Sequence, residues 1–293
     1  MTNTSRQIFE LSKPLPDVVL QPLKAVAATF NALGFRYFLV GATARAIILE
    51  NVFGRAPGRL TRDLDFGVAL SDWEQFEALR AAFVRTGKFE LTSALQRILY
   101  LYSPGLKIKV DLIPFGGIQD GASSISWPPK KDVVMNVAGF REALESAIPV
   151  RIESDLSIPV ASLPGLIILK LFAWLDRKHE NRDAPDILRI LSDYIDAGNE
   201  ERLYEEELPL LEVAGFDVSI AGAYLLGRDA RFMVSRETAA NLETILTAEA
   251  WKDQLVNQMF QSGGRSDDAF AQQCASLLEN FTKGFVEKQE RLG

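Results

Sequence analysis

A chain of 293 residues with 47% hydrophobic and 24% charged side chains has the composition of a soluble globular protein, long enough to bury one large core or two ordinary ones. Its single cysteine, Cys274, excludes an intramolecular disulfide, which suits a reducing cytoplasm. Its single histidine, His179, excludes multi-histidine zinc sites and any Ser-His-Asp triad not built on that residue. The net charge of −7 is uneven, with 18 basic and 16 acidic side chains in residues 1–160 against 14 and 23 in the rest. That balance argues against a broad nucleic-acid footprint but leaves room for a small basic patch in the first part, with Arg55, Arg59, Arg62, Lys107, Lys109, Lys130 and Lys131 as candidates.

Met1 to Lys13 is polar and has no apolar core of a signal peptide, and the chain up to Pro16 reads as a mobile or loosely docked arm. Val19, Leu20, Leu23, Val26, Ala27 and Phe30 have the spacing of an amphipathic helix over Val18–Leu33, which Gly34 is placed to stop. Arg36 to Val40 is a short strand that breaks at Gly41-Ala42-Thr43-Ala44-Arg45, and Ala46 to Leu49 then looks helical. A strand that turns at a glycine into a helix presents free backbone N–H groups and a positive dipole end, the elements of a phosphate site.

Residues 54–60 are rich in glycine, proline and arginine and form a loop leading into Thr61-Arg62-Asp63-Leu64-Asp65-Phe66-Gly67. In a strand, the two-residue period throws Asp63 and Asp65 to one face and Leu64 and Phe66 to the other. Two such carboxylates repel each other unless a divalent cation lies between them, and oxygen ligands near phosphates favour magnesium. Taken alone, an Asp-x-Asp pair is more often the solvated face of an amphipathic strand.

Ser71-Asp72-Trp73-Glu74 reads as a capping box for a helix to about Arg85, with Trp73, Phe76, Leu79, Phe83 and Val84 as its buried stripe. Strands are predicted over 89–92, 98–102 and 107–115; in the last, Lys107, Lys109 and Asp111 share one face and Ile108, Val110 and Leu112 the other. Asp111 could join Asp63 and Asp65 if their strands are neighbours, or it could simply end a strand before a turn. Residues 116–131 read as a long loop, 138–147 as a short helix, and 150–152 and 158–160 as short strands.

From Leu163 onward the pattern is helical, with helices predicted at about 164–178, 184–196, 199–206, 216–225, 236–248, 249–261 and 266–290. The most apolar run, Leu163 to Leu175, contains Lys170 and is too short to span a bilayer, so no membrane association is expected. Lys170 lies among Leu166, Ile167, Ile168, Leu169, Leu171, Phe172, Trp174 and Leu175, where an ammonium is costly unless it snorkels or meets an anion. Arg177, Lys178, His179 and Arg182 suit a solvated helix end, where cations complement the dipole.

The order Gly41-Ala42, Asp63-x-Asp65, then Asp111 on a later strand resembles the DNA polymerase β-like nucleotidyltransferase superfamily, and Gly41 to Arg45 looks like its phosphate-binding motif. Ala42 stands where that motif usually has serine or glycine, with the hydroxyl of Thr43 adjacent. Leu163-Pro164, Leu169-Lys170, Ala173, Asp176-Arg177, Arg182-Asp183 and Asp186-Ile187 are spaced like the AbiEii/AbiGii-type toxin nucleotidyltransferases, and the similarity spans about residues 18 to 195.

This resemblance implies an α+β protein: a nucleotidyltransferase domain over residues 1–160, a mixed β-sheet flanked by helices, followed by a mainly α-helical C-terminal domain over 161–293. It implies transfer of a nucleoside monophosphate from an NTP to an acceptor hydroxyl. Asp63, Asp65 and Asp111 would hold two magnesium ions, with manganese able to substitute. Catalytic roles would fall to the three aspartates, Lys170 and Asp186. Substrate binding would fall to Gly41, Ala42, Thr43, Arg45, Arg62, Lys109, Arg177 and Asp183. The resemblance further implies an RNA end, the 3′ end of tRNA, as acceptor and a cognate antitoxin as partner. A small-molecule nucleotidyltransferase, a protein-modifying enzyme and a non-catalytic binding protein are the alternatives.

Overall fold

The computed structural model describes residues 7–58, 62–121 and 123–287 and divides into two compact units, Met1–Ser162 and Leu163–Gly293. In chain order the first unit contains β1 (Phe9–Glu10), α1 (Asp17–Leu33), β2 (Tyr37–Val40), α2 (Gly41–Ala46), β3 (Leu64–Leu70), α3 (Trp73–Arg85), β4 (Phe89–Leu91) and β5 (Arg97–Ser103). It continues with β6 (Leu106–Gly116), β7 (Ser124–Ser126), β8 (Val134–Asn136), α4 (Phe140–Glu145), β9 (Ile148–Glu153) and β10 (Leu156–Val160). A π-helical stretch, Ile47–Val52, prolongs α2.

Eight strands form one mixed sheet in the order β1-β9-β10-β2-β3-β6-β5-β4, and β7 and β8 pair separately. The sheet is central because β2 is buried on every residue, as are Leu64, Phe66 and Val68 of β3, with Phe66 against Phe30 of α1. Phe30 of α1 stacks on Tyr37 at 4.3 Å between ring centroids and meets Phe66 and Phe83. Burying one such ring is worth about 2 to 3 kcal/mol. On the reverse face Gly67 lies under Phe38, whose ring a Cβ at that position would meet at 2.3 Å, and Phe115 and Phe140 complete the layer. The acidic face of β3 is therefore confined to its first residues, and the rest of that face is core.

Several elements depart from the sequence expectation. Phe9 and Glu10 are not a loose arm: they pair in parallel with Val150 and Arg151, and Arg151 Nε donates to Glu10 Oε1 at 2.7 Å. The partner strand lies some 140 residues away in the chain, so local pattern carries no trace of it. The cap of α3 is shifted by one residue, since Asp72 accepts from the Gln75 N–H while Gln75 Oε1 accepts from the Ser71 N–H. Val84, expected in the buried stripe, is 40% exposed. The expected loop after β6 contains β7, and its Ile118, Ile125 and Trp127 are buried.

The second unit is helical throughout: α5 (Leu163–Arg177), α6 (Ala184–Asp193), α7 (Glu200–Glu205), α8 (Leu208–Val213), α9 (Val218–Met233), α10 (Arg236–Thr247), α11 (Glu249–Ser262) and α12 (Asp268–Val286). The helix α8 is absent from the sequence expectation, and α9 runs eight residues beyond its expected end at 225. Gly227 and Gly284 bring α9 and α12 together so closely that a Cβ on either would lie 2.1 Å from a backbone carbonyl of the other helix. Among the described residues no helix is long and apolar enough to cross a membrane.

Candidate active site

Register builds the acidic end of the sheet. β3 and β6 run parallel with Asp65 opposite Asp111, and β5 and β6 run antiparallel with Arg97 opposite Asp111. Opposed residues on paired strands project from the same face, so Asp65, Asp111 and Arg97 form one row across three strands. Asp63 stands one residue ahead of β3, and Lys109, two residues before Asp111, brings its Nζ to 3.5 Å from Asp63 Oδ2. Three carboxylates from two separate stretches of sequence thus share one face of neighbouring strands.

Gly41 closes the same site from the end of β2, where Val40 pairs with Asp65. Its φ of 73° lies in the left-handed region, and a Cβ there would stand 2.2 Å from Asp65 Oδ2. Only glycine meets both demands: the turn conformation and the close approach of the carboxylate. The chain then enters α2, whose first-turn N–H groups have no partner within the helix. Ala42 is half-buried at this turn.

Two residues of the motif behave differently from expectation. Thr43 is buried, and its hydroxyl donates to the Asp63 carbonyl oxygen at 2.8 Å, tying α2 to the chain entering β3. Arg45, expected to face a phosphate, is 2% exposed. Its Nη1 lies 3.7 Å from Glu50 Oε1, which also accepts from the Gly58 N–H at 2.9 Å. It braces the loop over α2 from beneath. Arg62 is exposed and Arg55 half-buried, whereas Arg59 lies outside the described residues.

Arg97 is the member of this site that the sequence pattern did not reveal. Its Nε and Nη2 donate to Asp111 Oδ1 and Oδ2, each at 2.7 Å, in a two-pronged fork. The Asp111 hydrogen bond, with the charges of Asp111, Asp63 and Asp65, raises the Arg97 pKa against the opposing effect of burial. Only the register of β5 on β6 marks Arg97 out, because the predicted strand began at Ile98.

The donor set has the chemistry of a hard-cation site: carboxylate oxygens on one sheet face, with space left by Gly41 where a side chain would otherwise stand. The side chains do not converge on a single point, and among the described residues no group of three or more His, Cys, Asp or Glu is assembled to hold a metal. Asp63 and Asp65 offer carboxylate oxygens of the kind a divalent ion takes, while Asp111 has both oxygens on Arg97.

The second unit holds its own polar cluster at the α5–α6 turn. Lys170 Nζ lies 3.0 Å from Asp183 Oδ1 and 2.7 Å from Asp186 Oδ2, and Arg177 donates to both oxygens of Asp183 at 2.7 and 2.8 Å. Asp183 is 1% exposed. Burial alone would push its carboxyl up, but the Arg177 hydrogen bonds and the Lys170 charge outweigh it and hold it below the usual range. Burial likewise disfavours the charged form of Lys170, yet Asp186 and Asp183 keep its pKa raised. The anions that the buried ammonium requires come from its own helical hairpin. Arg182 points outward, 70% exposed, beside Glu180.

Paired carboxylates on adjacent strands, a glycine turn opening a helix behind them and a mixed sheet beneath agree with the nucleotidyltransferase pattern that the sequence resembles. The family model described as "Nucleotidyl transferase AbiEii toxin, Type IV TA system" matches residues 26–276, and the chain belongs to that family.

Among solved structures, an antigenic nucleotidyltransferase-like protein from Paracoccidioides brasiliensis is 17% identical, with 69% of this chain and 94% of that chain covered and a TM-score of 0.40. ANT(2")-Ia in complex with adenylyl-2"-tobramycin is 15% identical, with 67% and 95% covered and a TM-score of 0.36. The apo form II of a CCA-adding enzyme is 14% identical, with 96% and 86% covered and a TM-score of 0.32. No curated protein matches the chain.

Proposed function

We propose that this protein transfers a nucleoside monophosphate from an NTP to the 3′ end of an RNA, tRNA above all, as the toxin of a toxin–antitoxin pair in the cytoplasm. The observation that carries the chemistry is the register of Asp65 on Asp111, with Asp63 beside them and Gly41 against Asp65. Asp63, Asp65 and Asp111 would hold magnesium, which when bound supplies Lewis-acid neutralisation of the triphosphate.

The backbone N–H groups of Gly41 and Ala42 face the β and γ phosphates, and Thr43 holds Asp63 in place through its carbonyl oxygen. The acceptor oxygen attacks the α phosphorus, the bond from that phosphorus to the bridging oxygen breaks, and pyrophosphate leaves. The proton of the acceptor hydroxyl passes to a carboxylate oxygen of Asp111. Lys170 is kept protonated by Asp183 and Asp186 within its own hairpin. Family membership supports the toxin role and the antitoxin partner. The exposed Arg62 and half-buried Arg55 ahead of β3 provide a local basic rim for a phosphate backbone.

Incubating the protein with magnesium, each labelled NTP and separate RNA, protein and small-molecule extracts tests this reading. Label should enter RNA, depend on Asp65 and fall as salt rises. Label in protein or in an aminoglycoside replaces the RNA acceptor by the corresponding alternative, and label in no fraction leaves a binding protein.

A further inference from the structure

Two of the three aspartates already have cations of their own. Lys109 stands beside Asp63, and Arg97 grips both oxygens of Asp111. The Arg97 contact is built into the sheet, since the two residues are opposed in the β5–β6 register and each prong of the fork is 2.7 Å long. The Asp111 side chain is 18% exposed, so the fork is partly sheltered from water and from the screening that weakens surface pairs. An Arg–carboxylate fork satisfies the same lone pairs that a bound cation needs.

The geometry points to Arg97 as a latch on the site: it occupies Asp111 in the resting protein, and the fork must open before Asp111 can ligate a cation. This inference rests on the proposed function for the role of Asp111, but its contacts are independent of which acceptor is used. The latch thus exchanges a built-in cation for a metal and keeps the carboxylates from repelling one another when no substrate is bound. Arg97 is a positioning residue, acting through Asp111.

Calorimetric titration of the full chain with manganese or magnesium alone, without NTP, tests the exchange apart from catalysis. Arg97→Gln removes the competing charge and should tighten cation binding about tenfold, within the usual range of coupling between two ligands of one site. Arg97→Lys, which keeps a charge but loses the fork, should fall between Gln and wild type. The gain should vanish in Arg97→Gln/Asp111→Asn, because the latch acts through that carboxylate.

Melting curves taken without metal identify any variant that fails to fold, in which case the Lys variant carries the comparison. Equal or weaker cation binding by the Gln and Lys variants, with wild-type binding that still depends on Asp65, overturns the latch and leaves the metal site standing. A gain that survives Asp111→Asn overturns it as well. Absence of cation binding in wild type and both Arg97 variants overturns the latch together with the metal site.

Discussion

Replacing Gly41 by alanine tests the architecture of the acidic site through one methyl group. The backbone there has φ of 73°, a conformation that costs a residue with a side chain about 1 to 2 kcal/mol. The same penalty applies at Gly34, which has φ of 69° at the end of α1 and no atom within 4 Å of the point where a Cβ would stand, so Gly34→Ala isolates the backbone term. At about 2 to 4 °C per kcal/mol for a unit of this size, that term lowers Tm by only a few degrees.

At Gly41 the methyl group also meets Asp65 Oδ2 at 2.2 Å, whereas ordinary contact begins at 3.4 Å. The carboxylate must therefore retreat by roughly 1 Å, and a displacement of that size can cost about a hundredfold in rate. The expected outcome is a similar small fall in Tm for both variants, with nucleotide transfer near wild type for Gly34→Ala and about a hundredfold slower for Gly41→Ala. Rates with labelled NTP and melting curves on the same preparations provide the comparison. Equal transfer by the two variants would refute the placement of Asp65 against the glycine turn.

Asp63→Ala and Asp65→Ala should each abolish transfer; because Asp63 is half exposed beside Lys109, its removal should change stability by no more than about 1 kcal/mol, as urea titration would show. Lys170→Met keeps the packing but leaves Asp186 without its ammonium and Asp183 dependent on Arg177 alone. We expect a loss of about 2 kcal/mol, below the roughly 3 to 5 of a fully broken buried pair because Arg177 keeps its two bonds. Unchanged melting of this variant would place Lys170 outside the ion-pair cluster. Asp183 has a folded-state pKa below its unfolded value, so its stabilisation is present above about pH 4 and is lost as pH falls through the folded value. Urea midpoints measured from neutral to acid pH should fall in that window, and the slope should flatten in Asp183→Asn. Gly284→Ala forces α12 away from the Tyr224 carbonyl oxygen and should cost at least about 1 to 3 kcal/mol; a melting temperature equal to wild type would contradict the close packing of α9 and α12.

Local chemistry made much of this protein legible before its fold. Alternation along 107–115 separated Lys107, Lys109 and Asp111 from Ile108, Val110 and Leu112, and the structure keeps that division, because a strand's period follows from its own backbone. Gly41 announced its turn through its type, because glycine takes the left-handed backbone freely. Pairing between distant segments followed no such rule. The docking of Phe9 and Glu10 on β9, the alignment of Asp65 with Asp111 and the approach of Arg97 to Asp111 depend on strand neighbours and register.

Burial also changed the roles of residues whose types were informative. Arg45 became a brace and Thr43 a tether because the loop and β3 enclose them, and Lys170 found its anions at Asp183 and Asp186 once α5 and α6 folded together. A side chain's charge and hydrogen-bonding capacity are written in the chain. Which partner satisfies them is decided by desolvation and proximity, and these exist only after distant segments have packed.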